Sequence, residues 1–285
     1  MALTLFMYHR VLPEKCSGAL TVAEFERSLD YLQTHYRMLP AAEVESFVSG
    51  GFDVRGDAAA LSFDDAWADN FFYASPILKR RGLSALLAVS AGCLHDGEVR
   101  ESVPREIMYR SMDEAQAAAR AGDPSTYLNR AELAAMQDSG VWRIEVHGTR
   151  HELGSAGASV LSAPQNGMGE AEFRAFLAAD LQNARAEVEK LTGRRHRMFF
   201  WPWGHYSAAA VETARECGFD IQFTVEKGYI RCGDKRAVLP RVGVPPRYKK
   251  FVRNCYIFRH PALAFLHGFS HRVKVDFTGL AEAAK

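Results

Sequence analysis

Residues 59–65 read Ala59-Ala60-Leu61-Ser62-Phe63-Asp64-Asp65, an apolar run that stops on two adjacent carboxylates. Such a run fits a strand buried on both faces, as in a parallel sheet covered by helices. Ligand sites in α/β folds gather at the carboxyl ends of such strands, and Asp64 and Asp65 stand at this one. Neighbouring residues on a strand point opposite ways, but a turn at its end can bring both carboxylates together. One can then hold a metal while the other stays free as a base. For this stretch alone, an Asp-Asp helix cap in a loop is the plain alternative.

The same kind of run recurs at 3–8, 85–90, 141–146, 198–201, 221–225 and 238–242, which makes seven expected strands. Helical patterns lie between them. After Thr21, the residues Val22, Phe25, Leu29, Leu32 and Tyr36 share one face, and Thr21 with Glu24 forms a capping box. Asn129 and Glu132 repeat that box ahead of Leu133 and Met136. The longest helix runs from 169 to 191 and stops at Gly193; another runs from about 207 to 217. Alternating strands and helices imply a parallel sheet with helices outside. Periodicity does not decide whether seven strands close into a barrel. Residues 95–127 break the rhythm and read as an irregular insertion over one end of the sheet. Residues 246–285 lie outside the repeat and are basic and aromatic as far as Lys274.

The chain has 285 residues, 48% hydrophobic and 24% charged, an ordinary globular composition. Thirty-five basic residues against 34 acidic ones give no electrostatic case for nucleic acid. No run approaches the ~18 apolar residues of a membrane span, and the N-terminus lacks the basic region of a signal peptide. Cys16, Cys93, Cys217, Cys232 and Cys255 are odd in number and scattered. That suits reduced thiols in a cytoplasmic protein better than a disulfide framework.

Four more groups stand at expected strand ends. His147-Gly148-Thr149-Arg150-His151 holds an i, i+4 histidine pair that can chelate one metal; two surface histidines are the alternative. Phe200-Trp201-Pro202-Trp203-Gly204-His205-Tyr206 offers a tight turn able to aim a backbone N–H at an oxyanion, with aromatics for a sugar-sized groove. A buried aromatic turn would look the same. Met7-Tyr8-His9-Arg10 holds a lone strand histidine and Leu239-Pro240-Arg241-Val242 an arginine, each more often structural than functional. There is no GxGxxG, GxxxxGK[ST] or GxSxG element.

Together and in this order, the five groups resemble the polysaccharide deacetylases of carbohydrate esterase family 4, the NodB-homology group, and within it the PgaB/IcaB-like subgroup. The resemblance runs from about residue 3 to residue 245. It implies a deformed (β/α) barrel of about seven parallel strands over residues 1–245, with 246–285 as an extension. By resemblance Asp64 is the catalytic base and Asp65 a metal ligand, with His147 and His151 as the other ligands. Trp203 would offer its backbone N–H to the oxyanion, His9 would be the general acid, and Arg241 would pack near the base. Three departures stand out. Gly148 replaces a Ser or Thr, Phe200 stands where an Arg often opens the third motif, and the late Leu-x-His element has no match, His267 lying far into the tail.

The activity so implied is N-deacetylation of an acetylated sugar with one divalent ion, Zn2+ first, with Ni2+ or Co2+ as alternatives. Trp67, Trp201, Trp203 and Tyr206 are expected to stack on sugar faces. An inactive carbohydrate-binding relative and a deformylase of a lipid-linked sugar are the alternatives. A cytoplasmic enzyme, or one peripheral to the inner membrane, would meet a nucleotide-linked or polyprenyl-linked sugar. The basic and aromatic residues of 247–274 suit an anionic membrane surface. Packing of that segment on the barrel and a dimer contact are the other readings.

Overall fold

The computed structural model describes residues 2–155, 157–165 and 167–270. β1 (Ala2–Tyr8) is followed by a small parallel pair, β2 (Arg10–Leu12) and β3 (Ala19–Thr21). α1 (Val22–His35) starts on Thr21 with the expected reciprocal cap to Glu24 and buries Phe25, Leu29 and Leu32. β4 (Arg37–Met38) and α2 (Ala41–Ser49) lead into β5 (Ala58–Asp64), buried along its whole length. Next come α3 (Ser75–Arg80), β6 (Ala85–Val89), α4 (Arg105–Met108), α5 (Met112–Arg120), α6 (Arg130–Asp138) and β7 (Trp142–Val146). α7 (Glu170–Thr192) ends on Gly193, whose φ of 66° is the left-handed cap that a glycine supplies without strain. β8 (Met198–Phe200), α8 (Ala208–Glu216), β9 (Ile221–Phe223), β10 (Ile230–Arg231) and β11 (Val242–Gly243) complete the sheet. α9 (Tyr248–Arg259) and α10 (Pro261–Ser270) follow.

The strand order is β10-β1-β5-β6-β7-β8-β9, with β4 beside β5 and β11 beside β1. All pairings in this sheet are parallel except that of β1 with β10. The strand expected over 238–242 is divided. Leu239 bridges Phe223 of β9, and Val242–Gly243 pairs with β1. Pro240 between them has no N–H to give. These few residues close the sheet into a deformed barrel. Side chains alternate faces along a strand. Ala58 and Ala60 therefore share the inner face with Leu3, Leu5, Leu86 and Ala88, while Leu61 and Phe63 join the helix-covered cluster. The same alternation puts Ser62 and Asp64 on the inner face at the carboxyl-end mouth.

The insertion is not irregular. It folds as α4 and α5, and α5 starts on a capping box of Ser111 and Glu114. Tyr127 bridges Trp67, which fastens the insertion to the loop after β5. The C-terminal segment packs part of its apolar residues on the barrel. Phe251, Cys255 and Phe258 of α9 are buried, the Phe251 ring lies 6.0 Å from that of Phe6, and the Tyr36 hydroxyl donates to the Cys255 carbonyl at 2.9 Å. These groups are part of the core, whereas Tyr256, Leu263 and Leu266 of the same segment are exposed. Arg272 and Lys274 lie outside the described residues. Among these, no helix is long and apolar enough to cross a membrane. The five cysteines are free.

Candidate active site

The end of β5 turns sharply. Asp65 and Ala66 take φ values of 77° and 64°, and Trp203 takes 61°; among the described residues these are the non-glycine residues with left-handed backbone. Such strain collects where function needs a special geometry. Here it lets Asp64 and Asp65 reach the same mouth from adjacent positions.

Asp65, His147 and His151 converge, their donor atoms all within 4.8 Å of one another. The Asp65 Oδ1 lies 3.3 Å from His147 Nε2 and 3.1 Å from His151 Nε2. Its other oxygen accepts from the Trp67 indole N–H at 3.0 Å. Oδ1 itself is buried without a hydrogen-bond partner, a costly state unless something else is bound there. The His147 Nδ1 meets the Phe200 carbonyl at 2.7 Å, which requires the proton on Nδ1 and leaves Nε2 free to ligate. One carboxylate and two imidazoles therefore fit a divalent ion with open positions. Burial acts to raise the Asp65 carboxyl, but the two imidazoles hold it far below the usual range. Burial acts to lower His147, and Asp65 and Asp64 raise it. In His151 burial prevails and lowers it.

Asp64 stands beside this group with a different partner. Arg241 donates to both its oxygens at 2.7 Å, and both side chains are buried. Burial acts to raise the Asp64 carboxyl, and the Arg241 charge and hydrogen bonds outweigh it, so Asp64 is held ionised. Arg241 also donates to Ser62 at 3.3 Å and to the Thr224 carbonyl at 3.1 Å, and lies over the Phe200 ring at 4.8 Å. His9 follows the end of β1 and lies near enough to interact electrostatically with Asp64, Asp65 and His151.

With this geometry in hand, the polysaccharide deacetylase family profile matches residues 53–221. The chain belongs to the polysaccharide deacetylase family. Its fold is similar to IcaB from Ammonifex degensii, at 25% identity and TM-score 0.70 over 88% of this chain and 95% of that one. A de-N-acetylase from Aggregatibacter actinomycetemcomitans gives 17% identity and TM-score 0.72 over 89% and 99%. The BpsB deacetylase domain from Bordetella bronchiseptica gives 18% and 0.65 over 85% and 95%. Among curated protein sequences none matches.

Two of the three departures from the deacetylase pattern, Gly148 and Phe200, have a local structural role. Gly148 sits at φ 86°, where a Cβ would come 2.8 Å from Leu161 Cδ1. The hydroxyl arrives one residue later, Thr149 Oγ1 donating to the Asp180 carbonyl at 3.0 Å. The Asp180 carboxylate accepts from the N–H groups of Thr149 and Arg150 at 2.8 and 3.2 Å and so anchors the histidine turn to α7. Phe200 supplies the carbonyl that orients His147 and the ring beneath Arg241. His267 packs on the Phe258 ring of α9, 5.3 Å away.

Two expected sugar platforms are corrected. Trp67 and Trp201 have 0% exposure. Trp67 stacks on Tyr127 at 4.6 Å and holds Asp65, while Trp201 donates to Gln222 at 3.0 Å. Both have a buried N–H with a partner, which is how a core tryptophan sits. Tyr206 is half-buried and donates to Glu226 at 3.0 Å. Trp203 is half-buried, its ring 5.2 Å from that of His151.

Sequence reasoning missed Gln116, whose amide meets His151 Nδ1 at 3.3 Å, and the buried Arg10–Asp69 pair at 2.8 Å. Arg10 also lies 4.5 Å over the Trp67 ring, behind Asp65. The capping box at Ser111 would have marked α5 as a helix, but nothing in the sequence aims Gln116 at a histidine.

Proposed function

We propose that this polysaccharide deacetylase family member is a metal-dependent N-deacetylase of an N-acetylated sugar in a polysaccharide or glycoconjugate, releasing acetate. The observation that carries the reading is the orphaned Asp65 Oδ1 between two oriented imidazoles, beside a carboxylate clamped by Arg241. The family description, polysaccharide deacetylase, and the name of the de-N-acetylase neighbour support the same chemistry. Asp65, His147 and His151 would hold the ion, with zinc the first choice for such a donor set. Bound there, it supplies a Lewis acid for the amide carbonyl and makes water acidic enough for a low-pKa carboxylate to deprotonate.

The chain's own residues do the rest. Asp64 accepts the proton of the attacking water, its orientation set by Arg241. His9 gives a proton to the leaving nitrogen. The Trp203 turn offers a backbone N–H where charge gathers on the carbonyl oxygen, an interaction worth ~3–4 kcal/mol when well aimed. The inactive-binder alternative draws no support from Trp67 and Trp201, which are buried.

Acetate release from N-acetylated oligosaccharides by zinc-loaded protein tests the reading. Asp64→Asn should keep the metal and lose ~10²–10⁴-fold in turnover, and Asp65→Asn should lose the metal. The reverse pattern would exchange the two roles. No acetate from loaded wild-type protein on any N-acetylated sugar would end the reading.

A further inference from the structure

His9 lies between β1 and β2, one residue past the register in which β1 pairs with β5. It therefore stands outside both strand ladders, and something else must fix its place. Its carbonyl accepts from the Asn70 side-chain amide at 2.9 Å. Asn70 is fully buried and belongs to the stretch that leaves β5, a few residues after Asp64 and Asp65. The same stretch holds the two residues that follow His9. Asp69, also fully buried, accepts from the Val11 N–H at 2.9 Å and from Arg10 Nε at 2.8 Å. The Asn70 amide also donates to Asp69 at 3.1 Å. Residues 9, 10 and 11 are thus each fastened to Asp69 or Asn70. The single stretch 64–70 carries the base, one ligand of the metal cluster and the anchor of His9.

Two features separate Asn70 from an ordinary packing residue. Its Oδ1 is buried without a hydrogen-bond partner among the described residues. An apolar side chain of similar shape would avoid that cost, so stability alone does not call for an amide here. A π turn also runs over Asn70–Ala74, and the Asn70 carbonyl accepts from the Ser75 N–H and from the Ser75 hydroxyl at 2.9 Å. Turns of this kind are frequent at functional sites.

We infer that Asn70 is a positioning residue for His9: by holding the His9 carbonyl it sets where the imidazole stands relative to Asp64 and to the leaving nitrogen. The inference rests on the deacetylase reading, in which a proton passes from the His9 imidazolium to that nitrogen as the C–N bond breaks. A general acid acts only within hydrogen-bond reach of the atom it protonates. A displacement of about 1 Å can cost ~10²-fold in rate. Amide cleavage depends on this proton because an unprotonated amine is a poor leaving group. An aryl ester depends on it far less, since a nitrophenolate leaves as the anion.

The test is a double-mutant cycle in zinc-loaded protein, followed by acetate release from an N-acetylated oligosaccharide. Asn70→Ala should lose about tenfold or more in kcat with KM little changed. His9→Ala should lose at least as much, and Asn70→Ala/His9→Ala no more than His9→Ala, because the anchor then has nothing to position. On 4-nitrophenyl acetate both single variants should lose several-fold less than on the amide, whereas Asp64→Asn should lose about equally on both. If the wild type does not cleave the ester, the cycle on the amide decides alone. Zinc affinity of Asn70→Ala, read by chelator competition, should stay close to that of the wild type. Asn70→Leu takes the place of Asn70→Ala if the latter does not fold. Losses that multiply in the double variant overturn the inference, and so do equal losses of Asn70→Ala on amide and ester. A tenfold fall in zinc affinity, or a fold that neither Asn70 variant attains, overturns it as well. Those results leave the deacetylase reading standing. No acetate from the wild type ends that reading, and wild-type turnover in His9→Ala ends the assignment of His9 as the acid and the inference with it.

Discussion

His151 reaches the metal cluster from a short turn, and its ring is held from the far side by Gln116 of the insertion, 3.3 Å from Nδ1. A primary amide can present either end. With its oxygen toward Nδ1 it keeps the proton there and leaves Nε2 free to ligate. Outer contacts of this kind commonly contribute 10–100-fold in metal affinity. Gln116→Ala is therefore expected to weaken zinc binding by about that factor without unfolding the protein, and Gln116→Glu to recover most of it. Competition against a chromogenic chelator reads this directly. Equal affinity in all three proteins would reduce Gln116 to a packing residue.

At the scale of elements, the turn 147–151 is fastened to α7 through Asp180, and Gly148 gives it the required hand. Gly148→Ser restores the residue type usual in the family yet puts a Cβ 2.8 Å from Leu161 at φ 86°. The expected result is a loss of about 2 kcal/mol, from left-handed strain and overpacking, read as a lower urea midpoint. A neutral or stabilising outcome would mean that the turn relaxes freely. Asp180 adds a pH dependence. Burial pushes its carboxyl up to about 6 from 3.8, against the pull of the backbone N–H groups. Between those values the folded protein binds more protons than the unfolded one, so stability falls as pH rises. The contribution is fully present below pH 3.8 and lost through pH 6, at most about 3 kcal/mol. The stability difference between wild type and Asp180→Asn should shrink accordingly from pH 4 to 7; a constant difference would show that Asp180 does not titrate there.

For the whole molecule, the metal ligands come from two chain segments that meet only when β5 and β7 stand in one sheet. An ion bound there binds the folded state alone and stabilises it by about 4 kcal/mol at a thousandfold excess over its Kd. In a chain of this size that corresponds to a rise of roughly 8 °C in Tm. Zinc added to chelator-treated protein should give such a shift, and Asp65→Asn should abolish it. No shift in the wild type would deny the cluster a metal at neutral pH.

What the sequence by itself determined is local. Apolar runs marked most of the strands to within a residue or two, because strands buried on both faces leave little room for polar residues. Thr21, Asn129 and Gly193 marked helix ends because capping acts over three or four residues. The Asp64-Asp65 and His147–His151 spacings, with the family resemblance they carry, located the pieces of the site. Tertiary structure alone decided how those pieces meet. Arg241 is 177 residues from Asp64, and Gln116 is 35 from His151. No periodicity encodes such contacts. They follow from strand order and from how the segment 239–243 closes the ring. The burial of Trp67 and Trp201 was likewise invisible, since an aromatic beside a catalytic motif reads the same whether it faces a sugar or the core. Its side is set by which neighbours the fold brings to cover it, Tyr127 from the insertion in one case and Gln222 from β9 in the other.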